Sequence, residues 1–437
     1  MKTKFYYGLT ALFLALASLT LAAGTATTIK PGALWPDDRG EHINAHGGGI
    51  LKLSDTWYWF GEYRPKDAVP GRRYVSCYSS TDLVNWKFCG LPIDMAAPEN
   101  IGPNWVLERP KVYYNATTKK FVMYLHIDGP LDPNEPDPTK AYKIARVGVA
   151  VSDTVEGPYT YLRSFRPLGQ ESRDIGQFID DDGSAYLIFE SRPTKGFFIA
   201  KLSDDYLDVI EQTAFIQAPI EGGALVHYDG LYYLLGSALT GWAPNPNKYA
   251  TANDLKGPWS EFKDIAPPET KTYHSQSTML LKIVGTKKTT VIFMGDQWKP
   301  KTQWDSRYLW MPVEIGNGRL WLPEPQEWTL DVKSGASAII TPQRASAAEA
   351  IPAKKDVINA MTLANNYFMA KWPKAGSHDL PKKRPCNIWT RGVYFEGALA
   401  LRPQARRFSF TGWPGESTRG ICPPTLIYLL PPKAGMR

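Results

Sequence analysis

The run Trp57-Tyr58-Trp59-Phe60-Gly61-Glu62 returns four more times in related form: Phe121-Val122-Met123-Tyr124-Leu125-His126, Ala185-Tyr186-Leu187-Ile188-Phe189-Glu190, Leu231-Tyr232-Tyr233-Leu234-Leu235-Gly236 and Thr290-Val291-Ile292-Phe293-Met294-Gly295. Each is a short block of aromatic and β-branched side chains bounded by Gly, Asp or Pro, the composition of a strand. A strand with a turn precedes every copy, the turns reading Leu53-Ser54-Asp55, Tyr114-Asn115, Asp180-Asp181-Asp182-Gly183, Tyr228-Asp229-Gly230 and Val284-Gly285-Thr286. A third strand follows, with shared endings such as Val155-Glu156-Gly157-Pro158-Tyr159 and Leu255-Lys256-Gly257-Pro258-Trp259. The copies recur about every 45 to 65 residues, the spacing at which propeller blades repeat. An all-β chain is predicted, a five-bladed β-propeller with inner strands lining a central channel. A β-sandwich would need five matches in register to arise by coincidence.

The 437 residues are 43% hydrophobic, 13% aromatic and 21% charged, which excludes a wholly disordered chain. After Lys333 the strand pattern stops, and residues 334–437 read as an irregular, basic C-terminal extension, disordered or poorly packed, with one helical pattern over 357–370. That tail holds 15 Lys and Arg against 5 Asp and Glu, and Lys2 and Lys4 add two more positive charges, so residues 24–333 carry −5 although the chain totals +7. No basic groove is left on the folded body to track phosphates, and no nucleic-acid partner is expected. Residues 1–23 place Lys2 and Lys4 before an apolar run and end on small residues, the pattern of a secretory signal peptide rather than of a membrane span. A secreted, monomeric protein with one catalytic domain at 24–333 is expected.

An oxidising route would let Cys77 and Cys89, which flank the turn Ser80-Thr81-Asp82, bridge adjacent strands or remain thiols; spacing alone does not decide. Asn115-Ala116-Thr117 is the only Asn-x-Ser/Thr sequon, and it marks a place where a glycan could attach.

Three carboxylates each interrupt the start of a predicted first strand: Glu108 in the second blade, Asp174 in the third and Glu221 in the fourth. Equivalent positions in successive blades converge on one end of the channel. Converging carboxylates oppose one another's ionisation, raise at least one pKa and so prepare a general acid of the kind glycoside hydrolysis requires. Taken singly, each also reads as a partner for a neighbouring arginine.

Asn44-Ala45-His46-Gly47-Gly48-Gly49, Glu108-Arg109-Pro110-Lys111-Val112, Arg173-Asp174-Ile175-Gly176, Leu239-Thr240-Gly241-Trp242-Ala243-Pro244-Asn245 and Ser275-Gln276-Ser277-Thr278 together resemble glycoside hydrolase family 43, more narrowly its exo-β-1,3-galactanase subfamily, over roughly residues 35–330. The resemblance implies an inverting hydrolase releasing galactose from the β-1,3-galactan main chain of arabinogalactan, with no cofactor. It also implies Glu221 as general acid and Asp174 as the carboxylate that tunes and orients it. The first-blade aspartate that most members use as base is replaced here by Asn44-Ala45-His46, leaving Glu108 or Gln276 to activate water. Glutamine is a poor base in its ordinary tautomer, so chemistry alone favours Glu108. Tyr142 resembles a galactose-contacting tyrosine; Thr240, Trp242, Asp296 and Trp298 are further substrate-binding candidates. His274 is read as a structural histidine, and no metal site is expected. Glu221-Gly222-Gly223 departs from the usual Ala-Pro after the acid and predicts a looser loop. Two other readings are an arabinofuranosidase or β-xylosidase of the same family, and a propeller that binds carbohydrate without turnover.

Overall fold

The computed structural model describes residues 27–340 except Pro219, and six helical positions between Lys355 and Leu363. Residues 1–23, read above as a signal peptide, Cys386, Cys422 and the rest of the basic tail lie outside the described residues, as does most of the helix expected over 357–370.

Four blades are four-stranded antiparallel meanders whose spatial order follows the chain. Blade 1 is β1 (His46–Leu53), β2 (Thr56–Tyr63), β3 (Arg72–Ser80) and β4 (Lys87–Ala96); blade 2 is β5 (Val106–Asn115), β6 (Lys120–Asp128), β7 (Arg146–Ser152) and β8 (Thr160–Phe165). Blade 3 is β9 (Arg173–Ile179), β10 (Ala185–Ser191), β11 (Gly196–Leu202) and β12 (Val209–Ile216); blade 4 is β13 (Ile220–Tyr228), β14 (Leu231–Ala238), β15 (Lys248–Ala252) and the short β16 (Lys263–Asp264). Blade 5 has three strands, β17 (Gln276–Val284), β18 (Thr289–Gln297) and β19 (Arg307–Pro312). Two hairpins follow, β20 (Glu314–Gly316) with β21 (Arg319–Trp321), and β22 (Trp328–Asp331) with β23 (Ala336–Ile339). The strand structure therefore continues past Lys333. The residues read as the end of the pattern are a turn inside the last hairpin, fixed where the backbone N–H groups of Lys287 and Lys288 donate to Ser334 O.

The five aromatic runs are the second strands of the blades, β2, β6, β10, β14 and β18. Such a strand is covered on both faces by neighbouring blades, which explains nearly continuous apolar runs in place of clean alternation. Apolar clusters bind blade 1 to blade 2 around Phe60, Trp105 and Leu125, blade 2 to blade 3 around Tyr113, Phe189 and Phe198, and blade 3 to blade 4 around Ile188, Phe197 and Leu234. The ring closes through the largest cluster, in which Trp59 of blade 1 and Trp310 of blade 5 lie 4.7 Å apart, with Trp35 and Tyr308 against them. The leading segment adds a clasp, since Ile29 pairs with Trp328 by two backbone hydrogen bonds. Among the described residues no helix is long and apolar enough to cross a membrane.

Cys77 on β3 and Cys89 on β4 are unbridged thiols. Asn115 is buried, its side chain accepting from the N–H groups of Thr117 and Thr118 and donating to Asp204 O at 2.7 Å. The sequon amide therefore serves as a clip between blades 2 and 3.

Candidate active site

A polar cross-strand pair stands near the start of the inner strand in each blade: His46 opposite Glu62, Glu108 opposite His126, Arg173 opposite Glu190, Glu221 opposite Ser237 and Gln276 opposite Asp296. Beyond it, after one further pair in blade 5 and at once in the other four, every inner strand is interrupted by a bulge. A bulge re-aims side chains and terminates regular pairing, a common device beside active sites. The backbone there turns left-handed at Gly47, Arg109, Asp174 and Gly222, with φ of 57°, 49°, 42° and 66°. For Arg109 and Asp174 this conformation is costly and persists only where surrounding contacts enforce it.

The glycine pair after Glu221 is fixed by packing. A Cβ at Gly223 would lie 2.2 Å from Phe197, and one at Gly222 would lie 2.9 Å from Ser277 O. The looser loop expected there is thus replaced by a tight bulge that only glycine fits.

Glu221 is 3% exposed, and its Oε1 accepts from Gln276 Nε2 at 3.0 Å. Burial, reinforced by the nearby Asp174 charge, pushes its carboxyl up to about 9, so the group is protonated at neutral pH. Asp174 stays the more open of the two and pairs with Arg109 Nη2 at 3.1 Å. Arg109 is buried and reaches three blades: Nη1 donates to Ser277 O at 3.1 Å, Nη2 to Gln276 Oε1 at 2.8 Å, and its backbone N–H to Glu62 Oε1 at 3.0 Å. Gln276 is fully engaged, since Nε2 also donates to Ser237 Oγ at 3.2 Å and Oε1 also accepts from Trp298 Nε1 at 2.9 Å.

Glu108 accepts from the Tyr142 hydroxyl at 2.6 Å, with Arg64 Nη2 at 3.4 Å and His126 Nδ1 at 3.2 Å. Burial alone would raise its pKa, but His126, Arg64 and Tyr142 outweigh it and hold the carboxylate below its usual range. Burial likewise works against a charged His126, yet Asp128 and Glu108 raise the ring to about 10. Among the described residues Glu108, His126 and Asp174 are close enough together to share an ion. The protonated imidazole and the guanidinium of Arg109 supply the positive charge that such a cluster needs.

Lys111 is completely buried between blades, donating to Gly47 O at 2.8 Å and Gly48 O at 2.6 Å. A glycine at position 49 makes room for it, because a Cβ there would lie 3.1 Å from Lys111 Cδ.

A pocket of about 550 Å³ opens beside the acid, walled by Trp242, Pro244, His274, Gln276, Asp296 and Trp298. Trp242 stands edge-on to Trp298 at 4.9 Å. Asp296 belongs to β18; its Oδ2 accepts from Gly47 N and its Oδ1 lies 3.2 Å from His46 Nδ1. Thr240 is exposed on the rim and donates to Ala243 O. His274 is exposed in the pocket wall, in a left-handed turn over Lys271–His274. Of the nine sequence-predicted residues, Gln276, Trp242, Asp296 and Trp298 wall this pocket, Glu221 and Asp174 join it through Gln276 and Arg109, and Glu108 with Tyr142 forms a pair of its own beside Asp174 through His126. Sequence reasoning missed Glu62, Arg64, Arg109, Lys111, His126, Glu190 and Arg192. Three of these, Glu62, His126 and Glu190, are the last residues of the aromatic runs, where a polar side chain ends an apolar strand.

The propeller and its acidic basin define a glycoside hydrolase, and the model of glycosyl hydrolases family 43 matches residues 49–294. The chain belongs to that family. Within it, the chain is similar to the exo-β-1,3-galactanase of Phanerochaete chrysosporium crystallised with galactose, at 38% identity and a TM-score of 0.65 over 72% of this chain and 71% of that one. A variant of that enzyme crystallised with β-1,3-galactotriose superposes with a TM-score of 0.66, at the same identity and coverage. The exo-β-1,3-galactanase of Clostridium thermocellum is 35% identical, with a TM-score of 0.65 over 73% of this chain and 70% of that one. Comparison with curated protein sequences finds no match. The chain is thus an exo-β-1,3-galactanase-like glycoside hydrolase.

Proposed function

We propose that the protein is a secreted, monomeric, inverting exo-β-1,3-galactanase that removes galactose from the main chain of arabinogalactan. The observation carrying this reading is the buried Glu221, held by Gln276 and set near an arginine-paired Asp174. Glu221, its carboxyl raised by burial, is ready to donate a proton, and a second carboxyl paired with arginine lies close by, the arrangement that glycoside hydrolysis needs. The similarity to enzymes crystallised with galactose and β-1,3-galactotriose supports the substrate class, and the apolar segment within 1–23 supports export. A basin built by the blades of one chain supports a monomer.

In this mechanism Glu221 protonates the glycosidic oxygen as the C–O bond breaks, while Asp174 and Arg109 keep the site's charge balanced. Glu108, locked by Tyr142, Arg64 and His126, is a strong hydrogen-bond acceptor and a weak base, suited to holding sugar hydroxyls. That weighs against the base role that sequence chemistry favoured for it. Gln276 touches the acid directly and is the remaining candidate for aligning the attacking water.

Proton NMR of the intact protein acting on linear β-1,3-galactan tests the reaction, with α-galactose expected as first product. β-Galactose first, or no galactose at all, rejects the proposal. Kinetics of two variants separate the water-side roles. Glu108→Gln is expected to raise KM roughly tenfold with a smaller change in kcat, the sign of lost uniform binding, and Gln276→Ala to lower kcat by about 100-fold.

A further inference from the structure

Arg192 follows β10 at the rim of the basin. Its side chain is half exposed; Nε donates to Glu190 Oε1 at 3.2 Å, and Nη2 lies 3.9 Å from Glu221 Oε2. The first is a hydrogen bond, and the second is too long for one although within reach of ionic attraction. Glu190 is buried at the end of the same strand. None of the chemistry above uses either residue.

We propose that Arg192 and Glu190 form a charge clamp on the general acid, in which Glu190 holds the guanidinium back from neutral Glu221 and Arg192 closes on the carboxylate left after proton donation. The proposal rests on Glu221 being the acid. The step balances: the proton on Glu221 passes to the glycosidic oxygen as its bond to the anomeric carbon breaks, the departing sugar leaves neutral, and the negative charge stays on Glu221. At that moment an anion sits 3.9 Å from a guanidinium on a side chain free enough to move, and charge-assisted contacts to Arg close to shorter distances than this. Reprotonation of Glu221 from solvent releases the guanidinium to Glu190 again.

The groups facing Glu221 are Asp174 from β9, Arg109 from β5, Gln276 from β17, and Glu190 with Arg192 from the end of β10. Those facing Glu190 are Arg192, Asp174 and Arg173. Arg173 is committed elsewhere, to Asp128 and Glu171, which leaves Arg192 as the mobile cation. Burial, opposed by Arg192, raises Glu190 to about 7, so the hold on Arg192 strengthens as the pH rises through neutrality. Both are positioning residues, acting through Glu221.

The test follows the Glu221 carboxyl directly, by carbon-13 NMR of the full chain labelled on glutamate side chains, the signal being assigned by its loss in Glu221→Gln. Glu190→Gln is expected to lower the Glu221 titration midpoint by roughly one pH unit, because a negative neighbour is gone and Arg192 is freed to pair with the acid. Arg192→Met is expected to raise it, and Arg192→Lys, which keeps the charge, to stay near wild type. The alkaline limb of kcat/KM should move with each midpoint. Midpoints that do not move, or that move in the same direction in Glu190→Gln and Arg192→Met, overturn the clamp, including the case where only thermal stability falls. Should Glu190→Gln fail to fold, the two variants at the half-exposed Arg192 decide alone. Full turnover by Glu221→Gln would instead refute the role of the acid, whatever the midpoints do.

Discussion

Glu221→Gln should abolish turnover while leaving galactan binding intact, with kcat reduced by about 100- to 10,000-fold, the usual contribution of a positioned general acid. The carboxamide keeps the shape of the side chain and an oxygen to accept from Gln276 Nε2, but it has no proton to give. The same change should stabilise the fold in a pH-dependent way. Glu221 is buried and raised to about 9 from an ordinary 4.5. Below about pH 4.5 it is neutral both folded and unfolded and makes no difference between the states. As the pH rises from there, the unfolded chain gives up the proton and the folded one keeps it, so native stability falls until the pH passes the folded value. Glutamine cannot ionise and escapes that loss. Thermal melts of the two proteins should therefore nearly coincide in acid, then diverge in favour of the variant toward pH 9. A variant that still releases galactose, or melting curves whose separation ignores pH, would show that Glu221 is neither the acid nor held neutral.

The architecture was legible because blades advertise themselves twice, once in the apolar second strand and once in the turn before it. Glu108, Asp174 and Glu221 were legible for the same reason, since a carboxylate near the start of a first strand is anomalous and three in successive blades are more than capping requires, although Asp174 stands one residue further on, in the bulge where blades 2 and 4 have Arg109 and Gly222. Their partners hid in the same repeats. Glu62, His126 and Glu190 close apolar runs, and read linearly they resemble strand ends. An antiparallel pair, however, sets the end of the second strand beside the start of the first. Pairing each run's last residue with the charged residue near the start of the strand before it yields Glu108 with His126 and Arg173 with Glu190 without a structure. Arg109 and Lys111 could not be found that way. Their neighbourhood depends on bulges, and bulges break the period-two pattern from which facing is inferred. The role of the glycines at 49 and 223, which clear space for Lys111 and Phe197 on other strands, likewise follows only from contacts distant in sequence.

Arg109→Met is expected to be among the most destabilising single changes in the propeller, about 3 to 5 kcal/mol, the penalty for deleting one partner of a buried ionic network. Arg109 is the cation common to Asp174, Gln276 and the backbone of Ser277, and its own N–H holds Glu62. Methionine fills most of the volume, so the loss would come from charge and hydrogen bonds rather than from a cavity. The deficit should depend on pH in a defined direction. Without the guanidinium, Glu62, whose carboxyl burial raises, ionises with less compensating charge as the pH rises, whereas in acid it is protonated and needs none. Wild type and variant should consequently melt closer together near pH 4 than near pH 8. Removing Arg109 also strips the attraction that opposes the rise of Glu221, so any residual activity should extend to higher pH. Chemical denaturation at the two pH values measures the first effect, and the alkaline limb of kcat/KM measures the second. An equal deficit at both pH values would locate the role of Arg109 in packing and the fixed backbone of β5 instead of in the charge balance around the buried carboxyls it faces.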